Sequence, residues 1–291
     1  MTYKEHSVML SRPPSALTEE LFAQMREAGI TGIEVSPKQH EFDALELLPI
    51  KELADRYGIT LWSFHLRFCD FEGYDIANLN EAGRRHAIEY AKAYIKKAAE
   101  VGIGIAVIHP SGEPIEDSDR AEKLRLAKSA LAELAEYAAR LSVTLAVEDL
   151  PRTCLGNCSA ELLELIAADS RLRICFDTNH LLGEDISDFI RACGEKILTV
   201  HFSDYDFVNE RHWLPGEGQI DWAALMDTLD SVGYDGPILY EVPMSVKGLK
   251  SIVRSRDLTA FDMKRNAEEL MARTALTVHG HPIEDLPFWC M

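Results

Sequence analysis

Eight short apolar segments alternate with longer amphipathic stretches along almost the whole chain, and this alternation constrains the fold more than any other feature. Each segment has the length of a strand and is rich in Val, Ile, Leu or aromatic residues. The segments lie at 6–10, 32–36, 60–65, 105–110, 144–149, 172–177, 197–202 and 237–242. Because they are almost continuously apolar, they are typical of parallel strands that are buried on both faces.

The stretches between the segments show helical patterns that end at typical capping residues. Ser159 is predicted to cap the helix ELLELIAAD, and Asp221 is predicted to cap WAALMDTLDSV, which stops at Gly233. The other helical patterns cover 17–28, 81–101, 121–141 and 257–275. The connections between strands are long enough for parallel crossovers.

Eight strand–helix units predict a single (β/α)8 barrel, the TIM barrel, over residues 1–275. A doubly wound open sheet normally carries a Gly-rich phosphate loop after its first strand, where this chain reads LSRPPS. Residues 276–291 show no clear element and are expected to pack on the barrel or on a partner subunit. Their apolar end, PFWCM, leaves a homo-oligomer open.

Charge and hydropathy narrow the class of protein. The chain has 30 Lys and Arg against 48 Asp and Glu, a net charge of −18, which disfavours a nucleic-acid partner. No run approaches the roughly 18 apolar residues of a membrane span. The N-terminus lacks an apolar secretory core, so a cytoplasmic protein is predicted.

Ionisable side chains close six consecutive predicted strands. They are His65, His109, Glu148, Asp177, His201 and Glu241. In a (β/α)8 barrel these strand ends meet at one mouth, where such groups would repel one another or lose their solvation without a cation. Two Glu, one Asp and one His without a thiolate suit Mn²⁺, Co²⁺, Zn²⁺ or Mg²⁺. At least one divalent ion is therefore predicted, and a second or third ion stays open.

Three further candidates lie in loops after the sixth and seventh strands. His180 comes three residues after Asp177 in DTNH, and Glu210 and His212 lie in NERHWLPGEGQIDW. Because the loops at this end of a barrel surround the mouth, these side chains are expected to bind substrate or an additional metal ion.

Other residues are weaker candidates for substrate contact. Glu34, at the end of the second strand, is expected either to hydrogen-bond a sugar hydroxyl or to form a structural ion pair. Arg12, in the first loop, either meets a phosphate or carboxylate of the substrate or is solvated. Four aromatic residues either form a wall for a sugar ring or belong to the core: Trp62, Phe64, Phe202 and Trp213.

The motifs AVED, FDTNH, VHFSD, PGEGQIDW and LYEV together resemble the xylose-isomerase-like barrel superfamily. This superfamily includes sugar isomerases and 3-epimerases, inosose dehydratases and endonuclease-IV-type apurinic endonucleases. The resemblance to ketose 3-epimerases implies four metal ligands and one substrate-contacting histidine, His180. The implied ligands are Glu148, Asp177, His201 and Glu241.

The resemblance has one departure and one competing match. Ketose 3-epimerases usually place an acid three residues and an arginine six residues after the histidine of the seventh strand. Here these positions hold Asp204 and Phe207, and Arg211 is the candidate replacement for substrate contact. The full set of His and acidic residues is also similar to the trinuclear zinc pattern of apurinic endonucleases, although Glu210 and His212 stand where those enzymes have Asp-x-His.

The preferred prediction is a divalent-metal-dependent isomerase or epimerase that acts on a small sugar or polyol. Glu148 and Glu241 would approach from opposite sides of the mouth, one removing a proton beside a carbonyl and the other returning it to the enediolate. The alternatives are an endonuclease-IV-like zinc phosphodiesterase on abasic DNA, a keto-sugar or inosose dehydratase, and a non-catalytic metal-binding barrel. Loops such as PSGEPIEDSD hold few of the basic residues that a nuclease needs.

Overall fold

The computed structural model describes residues 4–68 and 71–283. Part of the predicted tail, 284–291, lies outside the described residues. The part of the tail that is described includes β10 (Gly280–Pro282), which pairs antiparallel with β9 (Ile252–Arg254).

Eight parallel strands form the barrel, which confirms the predicted architecture. They are β1 (Val8–Arg12), β2 (Gly32–Val35), β3 (Thr60–His65), β4 (Ile105–Ile108), β5 (Thr144–Glu148), β6 (Arg173–Asp177), β7 (Ile197–His201) and β8 (Ile238–Tyr240). The strands follow one another from β1 to β7, and β8 pairs with β1. The Phe202 amide donates to the Leu239 carbonyl at 2.8 Å, and the Glu241 amide donates to the Phe202 carbonyl at 3.2 Å. These two bonds join the end of β7 to β8.

Helices surround the strands. They are α1 (Glu19–Ala28), α2 (Leu48–Tyr57), α3 (Phe71–Tyr74), α4 (Glu81–Glu100), α5 (Asp117–Arg140), α6 (Ser159–Ile166), α7 (Ile186–Cys193), α8 (Trp222–Ser231) and α9 (Ala260–Ala272). The helical patterns found in the sequence did not include α2 and α7. α7 has only eight residues, whereas α2 has ten and carries Pro49 in its first turn, where proline is compatible with a helix. In the described part of the chain, no helix has the length and apolar character needed to cross a membrane.

The sequence predicted the N-cap residues of two helices, and the structure confirms one of them. Asp221 accepts a hydrogen bond from the Ala224 amide at 3.0 Å, as predicted for the start of α8. The prediction for Ser159 was wrong, because Ser159 is the first residue of α6 and Cys158 occupies the N-cap. The Ser159 amide and hydroxyl instead both donate to the Glu184 carboxylate at 2.6 Å.

Alternation along the strands separates an apolar layer inside the barrel from a polar layer at its mouth. Val107, Ala146 and Cys175 pack together as a small buried apolar cluster. Side chains two residues apart on a strand share a face, so the next positions on β5 and β6 are Glu148 and Asp177. The strand period therefore aims these two carboxylates into the mouth, directly above an apolar floor.

Candidate active site at the C-terminal mouth of the barrel

Four side chains converge at the mouth on the end of β7. The ligand-type atoms of Glu148, Asp177, His201 and Glu241 all lie within 4.8 Å of one another. His201 Nδ1 is 3.0 Å from Glu148 Oε1 and 3.1 Å from Glu241 Oε2. Asp177 Oδ2 is 3.9 Å from the same nitrogen. The structure thus brings together the four residues that the resemblance marks as ligands.

The chemistry of this group fits a divalent cation. Three carboxylates surround one ring nitrogen, which can offer at most one proton to them. Asp177 Oδ2 is buried and has no hydrogen-bond partner among the described residues. Because an unpaired buried carboxylate oxygen is costly, an ion that accepts oxygen and nitrogen ligands would satisfy the whole group.

The pKa values of the carboxylates in this group reflect their burial and the charges of their neighbours when no ion is bound. Burial raises the pKa of Asp177 to about 6, and the neighbouring carboxylates of Glu241 and Glu148 add to this effect. Burial also acts to raise the pKa of Glu148 and Glu241, but His201 together with His109 beside Glu148 and His212 near Glu241 outweighs it, so both pKa values are lowered. Glu148 and Glu241 are therefore anionic and available as bases.

His201 is held from its other edge by Glu34. Glu34 is fully buried, and its carboxylate accepts hydrogen bonds from Ser11 Oγ at 3.0 Å and Ser63 Oγ at 2.7 Å. Its Oε1 lies 3.1 Å from His201 Nε2. Of the two roles left open for Glu34, this geometry supports the structural ion pair, because Glu34 is fully buried beside His201.

Two histidines contact the opposite oxygen of Glu148. His65 Nε2 and His109 Nε2 both lie 3.0 Å from Glu148 Oε2. The His65 Nδ1 proton goes to the Leu66 carbonyl, 2.9 Å away. Burial acts to lower the pKa of His65, but Glu148 and Glu34 raise it to about 9. His65 is thus a proton donor to Glu148 in the ion-free site, whereas burial lowers the pKa of His109.

His180 and Glu210 form a second pair beside Asp177. His180 Nδ1 donates to the Asp149 carbonyl at 2.7 Å, and Nε2 lies 2.9 Å from Glu210 Oε1. The same Nε2 is 3.6 Å from Asp177 Oδ2. Arg152 contacts the other oxygen of Glu210 at 2.5 Å. Burial raises and the adjacent His180 lowers the pKa of Glu210, with a net value of about 2.

A cavity of about 620 Å³ opens beside the four-residue group. Glu241 and His212 both lie on its wall. His212 has a positive φ of 51°, and its buried Nδ1 has no hydrogen-bond partner within the residues that the structure describes. The volume lies within the range of small-molecule sites, so one proposed ligand faces a space large enough for a sugar.

Two predicted substrate contacts lie elsewhere. Arg211 is buried and pairs with Asp206 through Nε at 2.7 Å. Trp213 is 2% exposed and donates from Nε1 to Ser251 Oγ at 2.9 Å. Both line a different cavity of about 270 Å³. Neither residue lines the cavity of Glu241, and two backbone bonds between Asp204 and Trp213 fix this loop segment, so their contact with substrate stays a prediction.

Sequence reasoning missed one aromatic residue at the mouth. Phe68 is 36% exposed, and its ring stacks on His109 with centroids 4.1 Å apart and an interplanar angle of 20°. Phe64 and Phe202, which were candidates for a sugar wall, are fully buried in the core. The position of Phe68 three residues after His65, in a mouth loop, was the available signal.

Comparisons with known proteins agree with this geometry. The profile of the family described as "Xylose isomerase-like TIM barrel" matches residues 22–265. An uncharacterized protein of Methanocaldococcus jannaschii is 28% identical over 242 residues, which cover 76% of this chain and 80% of that protein. The fructoselysine 3-epimerase of Shigella flexneri is 26% identical over 231 residues, which cover 75% of this chain and 82% of that enzyme.

A solved structure shows the same fold. The crystal structure of a D-tagatose 3-epimerase-like protein superposes with a TM-score of 0.71 at 24% identity, covering 80% of this chain and 89% of that protein. The predicted resemblance and barrel are therefore confirmed, and the named relatives support the prediction of an isomerase-class enzyme.

Proposed function

The chain belongs to the xylose isomerase-like TIM barrel family, and from this premise we propose that it is a divalent-metal-dependent sugar isomerase or epimerase. The observation that carries the proposal is the group of Glu148, Asp177, His201 and Glu241 within 4.8 Å, with Glu241 on the wall of a sugar-sized cavity. These four residues would hold the ion. When bound, it supplies electrostatic stabilisation for negative charge that develops on a substrate oxygen.

Glu241 is the proposed base for the first proton transfer. Its side chain is 28% exposed, whereas Glu148 is 1% exposed, so Glu241 is the glutamate that a molecule in the cavity meets first. A C–H beside a carbonyl loses its proton to the Glu241 carboxylate, and the two bonding electrons become part of an enediolate. Because His201 contributes to lowering its pKa, Glu241 is ionised and has a lone pair that can accept the proton.

Glu148 is the proposed partner that returns a proton. It lies on β5, across the mouth from Glu241, and His65 Nε2 lies 3.0 Å from its Oε2. Because the pKa of His65 is about 9, this histidine holds a proton that it can pass to Glu148. Delivery to the opposite face of the same carbon gives epimerisation, and delivery to the neighbouring carbon gives isomerisation. The proton left on Glu241 then returns to solvent through the cavity, and His65 takes up a proton from solvent, which restores both groups for the next turnover.

The remaining histidines and Glu210 are proposed to orient hydroxyl groups or to hold a further ion. His65, Glu148 and His201 form a second group with ligand atoms within 4.8 Å of one another. His180 and Glu210 extend this group on the side of Asp177. Elemental analysis of the purified protein is expected to find at least one divalent ion per chain, and two or three would assign these residues to metal binding.

Exchange of substrate protons with solvent tests the proposal. We expect the Mn²⁺-loaded protein to exchange a C–H proton of a ketose or an inosose for deuterium in D₂O, followed by ¹H NMR. Glu241→Gln keeps the shape but removes the base, and it should lower exchange at least a hundredfold, as expected for loss of general-base catalysis. Glu27→Gln, an exposed glutamate near the C-terminal end of α1, is the matched control. Nicking of an abasic-site duplex without exchange into any sugar would overturn the proposal.

A further inference from the structure

Arg12 lies in the wall of the same cavity as Glu241, and it forms no ion pair with a carboxylate among the described residues. It is the last residue of β1 and is 7% exposed. Its Nη2 donates to the Val242 carbonyl at 2.8 Å, which places the guanidinium beside the residue that follows Glu241. Since a guanidinium has five N–H donors, this bond leaves most of its hydrogen-bonding capacity unused.

The unused capacity of Arg12 is unusual for a buried arginine. Arg12 Nε is buried without a hydrogen-bond partner in the described part of the chain, where Arg12 also forms no ion pair with a carboxylate. Burial lowers the pKa of Arg12 to about 10, and the nearby charge of Glu241 only partly opposes this effect. Because buried cations are normally paired, the cavity offers a cation that lacks an anion.

The other charges on the cavity wall do not supply that anion. Lys38 and Lys247 are exposed at the rim, and the exposed carboxylates of Glu20 and Asp257 balance them. Deeper in the cavity, Glu241 is the proposed ligand of a divalent ion, so its charge is already assigned. Arg12 is thus the one buried arginine or lysine in the described wall of the cavity, and it forms no ion pair there.

We propose that Arg12 binds an acidic group of the substrate, a carboxylate or a phosphate, in this cavity. The inference rests on the proposed function, since it assumes that a sugar occupies the cavity beside Glu241. A planar guanidinium fork matches the paired oxygens of either acid, and the bond to Val242 holds the fork in place. The enzyme therefore acts on an acidic sugar derivative in preference to a neutral sugar.

Three probes with one carbon skeleton test the inference. D-fructose, D-fructose 6-phosphate and D-fructuronate carry a hydroxyl, a phosphate and a carboxylate at the same end of the chain. We expect the Mn²⁺-loaded protein to bind one of the two acidic probes at least tenfold more tightly than D-fructose in isothermal titration calorimetry. The acidic probe that binds more tightly shows whether the acidic group of the substrate is a phosphate or a carboxylate. Failure of both acidic probes to bind more tightly than D-fructose overturns the inference.

Variants of Arg12 show whether a binding preference for an acidic probe depends on this side chain. Arg12→Gln should reduce the preference to less than twofold, and Arg12→Lys should keep part of it because the positive charge remains. Lys250→Gln removes one exposed positive charge outside the cavity, and it should leave the preference unchanged. If Arg12→Gln keeps the full preference for the acidic probe, the assignment to Arg12 is wrong. If Arg12→Gln does not fold, Arg12→Met replaces it, and a full preference in that variant also shows that the assignment is wrong.

The same samples separate failure of the inference from failure of the proposed function. If deuterium exchanges into D-fructose as fast as into both acidic probes, and no probe binds preferentially, the inference of an acidic substrate is wrong. The proposed isomerase or epimerase activity then still holds. Tight binding of an acidic probe that depends on Arg12, without exchange into any ketose, rejects the isomerase and keeps the acid-binding role of Arg12.

Discussion

His201 presents Nε2 to Glu34 Oε1 at 3.1 Å and, from the opposite edge of the same ring, presents Nδ1 to Glu148 Oε1 at 3.0 Å. His201 Nε2 has no hydrogen-bond partner among the described residues, so Glu34 acts on it through its negative charge at this distance. A ring proton that this charge favours on Nε2 leaves the Nδ1 lone pair free for the proposed ion. Metal-binding histidines are commonly fixed in this way by a carboxylate behind the ring. Glu34 is therefore a positioning residue, and Ser11 and Ser63 hold it.

Replacing Glu34 with Gln should weaken metal binding about 10- to 100-fold, the range for partners behind metal ligands. The new amide can donate to Nε2, which moves the ring proton to Nδ1, where it competes with the ion. Isothermal titration with Mn²⁺ measures the change, with Glu52→Gln on the exposed face of α2 as control. Equal Mn²⁺ affinity in Glu34→Gln and wild type contradicts a positioning role.

Asp177→Asn should stabilise the metal-free protein. The folded-state pKa of Asp177 is about 6, above the usual value near 4, so its ionised form opposes folding at pH 8. This cost is absent below the unfolded pKa, grows as pH rises from there to the folded value of about 6, and is fully present above it. Asn keeps an Oδ1 to accept from the Asn179 amide. Removal of the charge should raise the free energy of unfolding by on the order of 1–2 kcal/mol. Each kcal/mol raises Tm by roughly 2–4 °C in a chain of this size.

Thermal unfolding in EDTA and in Mn²⁺ at pH 8 checks this expectation. Wild type should melt below Asp177→Asn in EDTA, and the order should reverse in saturating Mn²⁺, because the amide is a poorer ligand than the carboxylate. A variant that melts below wild type in both conditions would show that Asp177 stabilises the fold without an ion.

Gly218→Ala should destabilise the loop after β7. A Cβ at residue 218 would lie 2.3 Å from Asp204 Oδ1 and 2.4 Å from the Tyr205 carbonyl. The Asp204 carboxylate cannot yield easily, since it accepts from the Gly216 amide at 2.8 Å and from Trp222 Nε1 at 2.8 Å. Overpacking of this kind costs about 1–3 kcal/mol.

Urea denaturation measures that cost, and Gly183→Ala is the matched control because a Cβ there meets no atom within 4 Å. A smaller loss of unfolding free energy in Gly218→Ala than in Gly183→Ala would mean that Asp204 moves aside. The second glycine of the PGEG motif is therefore explained by packing, because Gly218 leaves room for the Asp204 carboxylate, which hydrogen-bonds several groups of this loop.

The sequence predicted the residues that strand position alone fixes. Glu148 and Asp177 end β5 and β6, and the period of a buried parallel strand is enough to aim both into the mouth. Arg211 and Trp213 could not be placed in the same way, because the path of their loop depends on backbone bonds with Asp204 that no periodicity reveals. The role of Glu34 likewise depends on contacts with three other strands.

Phe68 presents a partly exposed ring beside two histidines of the mouth. It stacks on His109 and lies 5.4 Å from His65 between ring centroids. An apolar ring beside polar groups is suited to the C–H face of a sugar, so Phe68→Ala should raise KM about tenfold with little change in kcat, as expected when binding is lost equally from ground and transition states. Phe68→Tyr should keep most of the affinity, and Phe261→Ala, an exposed ring on α9, controls for general loss of apolar surface. Mn²⁺ titration should give the same affinity for all variants. A fall in kcat at constant KM would instead place Phe68 in the support of His109 and Glu148.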